Sequence, residues 1–136
     1  AEPIAHFLLI IYSIHRSRQQ LYHTLERKEK EKMPNQLHTL KEFQTEIASE
    51  QLVVIDFFAD WCGPCRMIAP HFHEFETKYA DVKFFKVDVD EAADICEDQN
   101  IQSMPTFLFA KNGRVIGRIE GANVAKLQQL IETHKQ

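Results

Sequence analysis

Two cysteines three residues apart, Cys62 and Cys65, stand in the run Trp61-Cys62-Gly63-Pro64-Cys65. An apolar stretch, Leu52-Val53-Val54-Ile55-Asp56-Phe57-Phe58, precedes them and a segment with helical periodicity follows. A Cys-x-x-Cys pair between a strand and a helix points to dithiol redox chemistry. Cys62 falls at the helix start, where unpaired backbone N–H groups and the positive end of the helix dipole favour a thiolate. Cys65 lies one turn further in and is expected to be less exposed. A thiolate at position 62 can attack a disulfide sulfur. The thiol at 65 can then break the mixed disulfide by closing a bond to Cys62 across one turn. The competing chemistry is zinc binding. Structural zinc takes four ligands, normally from two such pairs. This chain has one pair; Cys96 has no Cys or His close to it in sequence, and His71 and His73 follow on the helix without converging on Cys62. No metal is expected.

These sulfurs need a rigid frame. Residues 52–58 are apolar on both faces, the mark of a central strand covered on two sides. Cys62 to Tyr79 reads as a helix whose stripe of Met67, Ile68, Phe72 and Phe75 packs the core, with a kink at Pro70. Upstream, Leu37–Leu40 reads as a short strand. Leu40, Phe43 and Ile47 mark an amphipathic helix over 41–49. Downstream come a strand at Val82–Asp88, a short helix at Ala92–Asn100 and a strand at Thr106–Ala110. The turn Lys111-Asn112-Gly113-Arg114 then predicts a hairpin to a strand at Val115–Glu120. Val124, Leu127, Leu130 and Ile131 form the face of a last helix. The order βαβαβαββα predicts an α/β domain, a central mixed five-stranded sheet flanked by four helices.

The chain closely resembles the thioredoxin family over about residues 35–134. The likeness rests on Val54-Ile55-Asp56-Phe57, Ala59, Trp61-Cys62-Gly63-Pro64-Cys65, Met67, Pro70 and Lys86-Val87-Asp88-Val89-Asp90. It continues through Met104-Pro105-Thr106, Lys111-Asn112-Gly113 and Gly121-Ala122. The resemblance implies the thioredoxin fold and a protein-disulfide reductase, acting in electron transfer and cell redox homeostasis. Dithiols of this kind, thioredoxins among the known cases, have a cysteine pKa lowered from about 8.5 to roughly 3.5–7.5. Asp56 matches the family's buried carboxylate beneath the second cysteine, which would take the Cys65 proton and return it to the leaving thiol. The alternative is an Asp satisfied by backbone at a strand end. Lys86 matches the lysine that approaches this Asp, against an ordinary surface lysine. Pro105 resembles the family's cis-proline facing the disulfide, which sets the Met104 and Thr106 backbone for strand-like pairing with a bound peptide. The alternative is a trans proline opening a strand. Trp61, Gly63, Pro64, Met104, Gly121 and Ala122 would form an apolar rim around Cys62 for docking varied protein disulfides; Trp61 could instead fill the core. No cofactor is expected on the chain. NADPH would act indirectly, through a thioredoxin reductase that reopens the Cys62–Cys65 disulfide.

Departures from the family pattern are few. Phe58 stands where bacterial members often have a second Trp. Ser103 stands where vertebrate cytosolic members often carry an extra cysteine, which closes off disulfide dimerisation there and favours a monomer. Cys96 reads as a buried structural thiol or as a secondary redox site. Asp88-Val89-Asp90-Glu91 and Asp94 lack the spacing and Gly of a calcium loop and read as a solvated helix start. A secretory isomerase or oxidase usually has His before the second cysteine, where this chain has Pro64. A glutaredoxin usually has Pro-Tyr between the cysteines. A redox-gated module that binds signalling partners would share every residue named so far.

At 136 residues, 44% hydrophobic and 26% charged, the chain has the size and composition of one globular domain. That excludes a disordered tail, a collagen-like rod and a multi-pass membrane protein. A net charge of −4 excludes the usual nucleic-acid binder. The charge is uneven. Residues 1–32 carry Arg16, Arg18, Arg27, Lys28, Lys30 and Lys32 against four Glu, while the remainder is strongly acidic. The apolar run from Pro3 to Ile14 is shorter than the ~20 residues a spanning helix needs and lacks the basic flank and cleavage site of a signal peptide. Residues 19–32 read as a polar helix or arm. We expect an N-terminal extension over 1–32, with a possible targeting role, and a thioredoxin domain over 33–136 with Met33 as its natural start. That domain is expected to be cytoplasmic and free of membrane.

Overall fold

The computed structural model describes residues 2–32 and 35–136, with side chains described for 3–25 and 35–136. Met33 lies outside the described residues. The chain divides into two units, Ala1–Pro34 and Asn35–Gln136. The described part of the first is one helix, α1 (Glu2–Lys32), running through both the apolar segment and the charged one. Among the described residues no helix is long and apolar enough to cross a membrane.

The second unit has the order α2 (Leu40–Ile47), β1 (Val53–Phe58), α3 (Gly63–Lys78), β2 (Lys83–Asp88), α4 (Ala93–Asp98), β3 (Thr106–Lys111), β4 (Arg114–Glu120) and α5 (Val124–His134). The sheet order is β2-β1-β3-β4. β1 runs parallel to β2 and antiparallel to β3, and β3 is antiparallel to β4. Every residue of β1 is buried. Alternation along a strand sends neighbouring side chains to opposite faces, and two cores result. Leu52 and Val54 pack with Ile68, Phe72, Leu127 and Ile131, which places α3 and α5 on one face. Val53, Ile55 and Phe57 pack with Phe43, Ile47 and Ile95, which places α2 and α4 on the other. The β3–β4 hairpin closes through Asn112 (φ 54°) and Gly113 (φ 82°). Two successive positive φ values make the primed turn whose twist matches the strands, and this is why an Asn-Gly pair stands there.

The α/β class and the mixed sheet with helices on both faces match the expectation, but the strand count does not. The described sheet has four strands. The expected first strand, Leu37–Leu40, does not form; a single parallel bridge between Gln36 and Lys86 precedes it, and Leu40 opens α2. Extension of the bridge into a strand is cut off by helix capping. The Thr39 side chain accepts from the Glu42 N–H, and the Glu42 carboxylate accepts from the His38 N–H at 2.7 Å. This reciprocal cap starts α2 where the strand would have continued. A second correction concerns α3. Ile68, Phe72 and Phe75 are buried as expected, whereas Met67 is 66% exposed. It stands one position off the stripe, three and four residues after Pro64 and Gly63, and so shares their face. Pro70 lies within α3, which runs on to Lys78.

Candidate active site

The site lies where β1 ends and α3 begins. Cys62 is the N-cap of α3, in extended conformation, with Pro64 in the first turn, where the missing N–H costs nothing. The Cys62 Sγ accepts from the Cys65 backbone N–H at 3.2 Å. A sulfur held by a helix N-terminal amide is placed to carry negative charge. Cys62 and Cys65 are joined in a disulfide, with their Cα atoms 5.3 Å apart. In this oxidised form both residues are buried, at 6% and 4% exposure, so the expected contrast between an open and a sheltered thiol is slight. The cysteines pack with Phe58, Ala59, Val89 and Met104. His73, weighed as a metal ligand, is instead exposed beside Glu76 at 3.5 Å.

Asp56 sits in the middle of β1, paired in register with Lys86 on β2 and Phe107 on β3. It has the same parity as Leu52 and Val54, so its side chain belongs to the α3 face of the sheet. It is 1% exposed, and its Oδ1 finds no hydrogen-bond partner among the described residues. Burial pushes its carboxyl up to about 7, against a smaller downward pull from the Lys86 charge. This is not an Asp satisfied by backbone at a strand end. Lys86 is half-buried, not a plain surface residue. Its Nζ lies 5.1 Å from the Phe58 ring centroid and 6.0 Å from that of Phe72, within reach of cation–π attraction.

Around the cysteines, Trp61 is 65% exposed and no core filler. Gly63 and Pro64 are exposed beside it, and Met104 is half-buried. The Met104–Pro105 bond is cis. Pro105 and Thr106 are buried, and the Pro105 carbonyl accepts from the Gly121 N–H at 2.8 Å. That bond ties the Gly121-Ala122 loop to the proline loop; Gly121 has φ 98°, a conformation glycine adopts without strain.

Two neighbours of these residues were not expected at the site. Asp90, expected in a solvated helix start, accepts from the Trp61 indole Nε1–H at 2.9 Å. The parallel pairing of Phe58 with Asp88 brings the ends of β1 and β2 together, and Val89 donates to the Phe58 carbonyl. That proximity was the available signal. Met67 is the other, exposed on the Gly63 side of α3. Cys96 is half-buried against the α2 and α4 core; burial, then Asp94, Asp88 and Asp90, push its thiol up and away from reactivity.

Comparison with known proteins agrees with this geometry. The Thioredoxin family model matches residues 35–133. Thioredoxin-2 of Saccharomyces cerevisiae is 45% identical over 103 residues, which are 75% of this chain and 99% of that protein. The crystal structure of oxidised mitochondrial thioredoxin 3 from the same yeast superposes with a TM-score of 0.71 at 43% identity, covering 73% of this chain and 93% of that one. Plasmodium falciparum thioredoxin superposes at 0.70 with 45% identity, over 74% and 98% of the two chains. With its Cys62–Cys65 pair at the start of α3, the chain belongs to the thioredoxin family and is a thiol-disulfide oxidoreductase.

Proposed function

We propose that the chain is a general protein-disulfide reductase in which Cys62 attacks, Cys65 resolves and Asp56 carries the proton. The Cys62 thiolate attacks one sulfur of a substrate disulfide. A Cys62–substrate disulfide forms, the substrate bond breaks, and the departing sulfur leaves as a thiolate. Asp56, ionised, takes the Cys65 proton through a bridging water. The Cys65 sulfur then attacks Cys62 Sγ, and the second substrate sulfur leaves and takes a proton. The substrate gains two electrons; one of its protons is the Cys65 proton relayed by Asp56, the other is taken from solvent by the first departing thiolate, and the protein ends as the Cys62–Cys65 disulfide. A thioredoxin reductase drawing on NADPH returns it to the dithiol; no group bound to this chain enters the cycle. Trp61, Gly63, Pro64, Met104, Gly121 and Ala122 receive the substrate, with the Met104-Pro105-Thr106 backbone pairing against its peptide, and Lys86 tempers the Asp56 charge. The domain works as a monomer in the cytoplasm, a reducing compartment in which a dithiol donor stays charged with electrons.

The observation that carries this reading is the buried Asp56, its Oδ1 without a hydrogen-bond partner among the described residues and its carboxyl near 7, on the sheet face that α3 covers. A proton carrier serves best when its pKa lies near the working pH. Insulin reduction by the full chain, with NADPH and thioredoxin reductase, tests it. Cys62→Ser loses turnover by at least about 10³-fold. Cys65→Ser accumulates a mixed disulfide with insulin that mass spectrometry detects. Turnover retained by Cys62→Ser overturns the assignment.

A further inference from the structure

We propose that α1 lies on the surface of an anionic phospholipid bilayer and holds the oxidoreductase domain there. On a helical projection of residues 3–25, Ile4, Phe7, Ile11, Ile14, Leu21 and Leu25 fall on one side, and all are exposed. With Leu8, Ile10 and Tyr22 the apolar arc spans roughly 160°, interrupted by His15 and Arg18. The opposite side carries His6, Ser13, Ser17, Gln20 and Thr24, with Leu9 as its apolar exception. From Ile4 to Leu25 the helix presents this face over ~33 Å. It does not cross a bilayer; a helix with such a face beds into the headgroup boundary.

Charge selects the occupant. Between Pro3 and Leu25 there is no Asp or Glu, while Arg16 and Arg18 are both present. An anionic surface meets no like charge along this length; Arg18, central on the apolar face, reaches it, while Arg16 projects to the opposite side and acts only at longer range. The rival occupant is a second copy of the helix, because the apolar residues recur at alternating steps of three and four. Two features disfavour it. Arg18 falls on that seam, so a parallel pair would set two arginines against each other among apolar side chains. The apolar arc is also wider than a two-stranded seam covers. At a bilayer both features fit: the broad face is buried, and Arg18 extends along its stem to a phosphate.

Flotation of the full chain with two kinds of vesicle tests this, one of phosphatidylcholine alone and one with about a third phosphatidylserine. The chain is expected to float with the anionic vesicles and to stay behind with the uncharged ones. Arg16→Gln with Arg18→Gln weakens anionic binding by at least about fivefold, the worth of one charge at the surface. Phe7→Glu with Ile11→Glu abolishes it. Both double variants keep wild-type insulin reduction, which separates loss of docking from loss of the domain. Failure to float, equal binding to both vesicles, or a helix-dependent dimer in sedimentation that does not float would each overturn the proposal.

Discussion

Asp56→Asn keeps the shape of the side chain and removes its charge. The consequence is a change in how stability depends on pH. The folded carboxyl titrates near 7, against an ordinary value of 3.8, because burial disfavours its charged form. Between those two values the folded protein holds a proton that the unfolded chain has released. Stability therefore falls as pH rises through that window, by about 1.4 kcal/mol per pH unit. Over roughly three units the cumulative loss approaches ~4 kcal/mol, an upper figure because water penetration softens burial. The variant lacks this titration. Its unpaired amide adds an offset that does not vary with pH, and all other titrating groups cancel in the difference between the two proteins. The assay is urea unfolding of the oxidised chains from pH 5 to pH 8, where the disulfide keeps both thiols out of the titration. The stability of Asp56→Asn relative to wild type should climb by about 2 kcal/mol between pH 5 and 7, the slope halving at the folded pKa, and then level off. A difference that stays flat within ~0.5 kcal/mol across this range would refute the argument that Asp56 is buried without compensation.

Two other perturbations follow from the same site. Lys86→Met removes the charge that pulls the Asp56 carboxyl downward; the levelling-off point should move to higher pH, read from the same unfolding comparison, and an unmoved point would mean that Lys86 does not act on Asp56. Asp90→Ala removes the acceptor of the Trp61 indole N–H. Freed of that bond, the indole should show lower fluorescence anisotropy, and KM for insulin should rise about two- to fivefold at unchanged kcat, consistent with an exposed hydrogen bond worth ~1 kcal/mol or less; unchanged anisotropy would count against the bond.

Much of this was legible because it follows from local pattern. The apolar character of residues 52–58 on both faces predicted a buried central strand, and that alone implied a costly Asp56. The Asn112-Gly113 pair announced its turn. What was missed depended on information of other kinds. The capping signal at Thr39 and Glu42 is present in the sequence, but the apolar residues around it read as a strand. Met67 was drawn into the core by chemical type, although one residue of helical offset turns it outward. Asp90 could be matched to Trp61 only once the sheet brought the ends of β1 and β2 together. The cis Met104–Pro105 bond came from family resemblance; nothing in the local residues distinguishes it from a trans proline opening β3.

The position of Lys86 bears on the proton-carrying role proposed for Asp56. A lysine in contact with the carboxylate would stabilise the charged form and carry its pKa well below neutrality, and Asp56 would then hold a proton too weakly to return it. Here the ammonium lies over the faces of Phe58 and Phe72, and burial outweighs its Coulomb effect on Asp56. The rings thus give the cation a partner other than the carboxylate. Phe58 is part of the packing around the cysteines, and Phe72 belongs to the core on the same sheet face. Residues that read as simple hydrophobic filling therefore also face the Lys86 charge that acts on Asp56. Desolvation that lowers the stability of the fold at neutral pH is the same effect that brings the Asp56 pKa near 7.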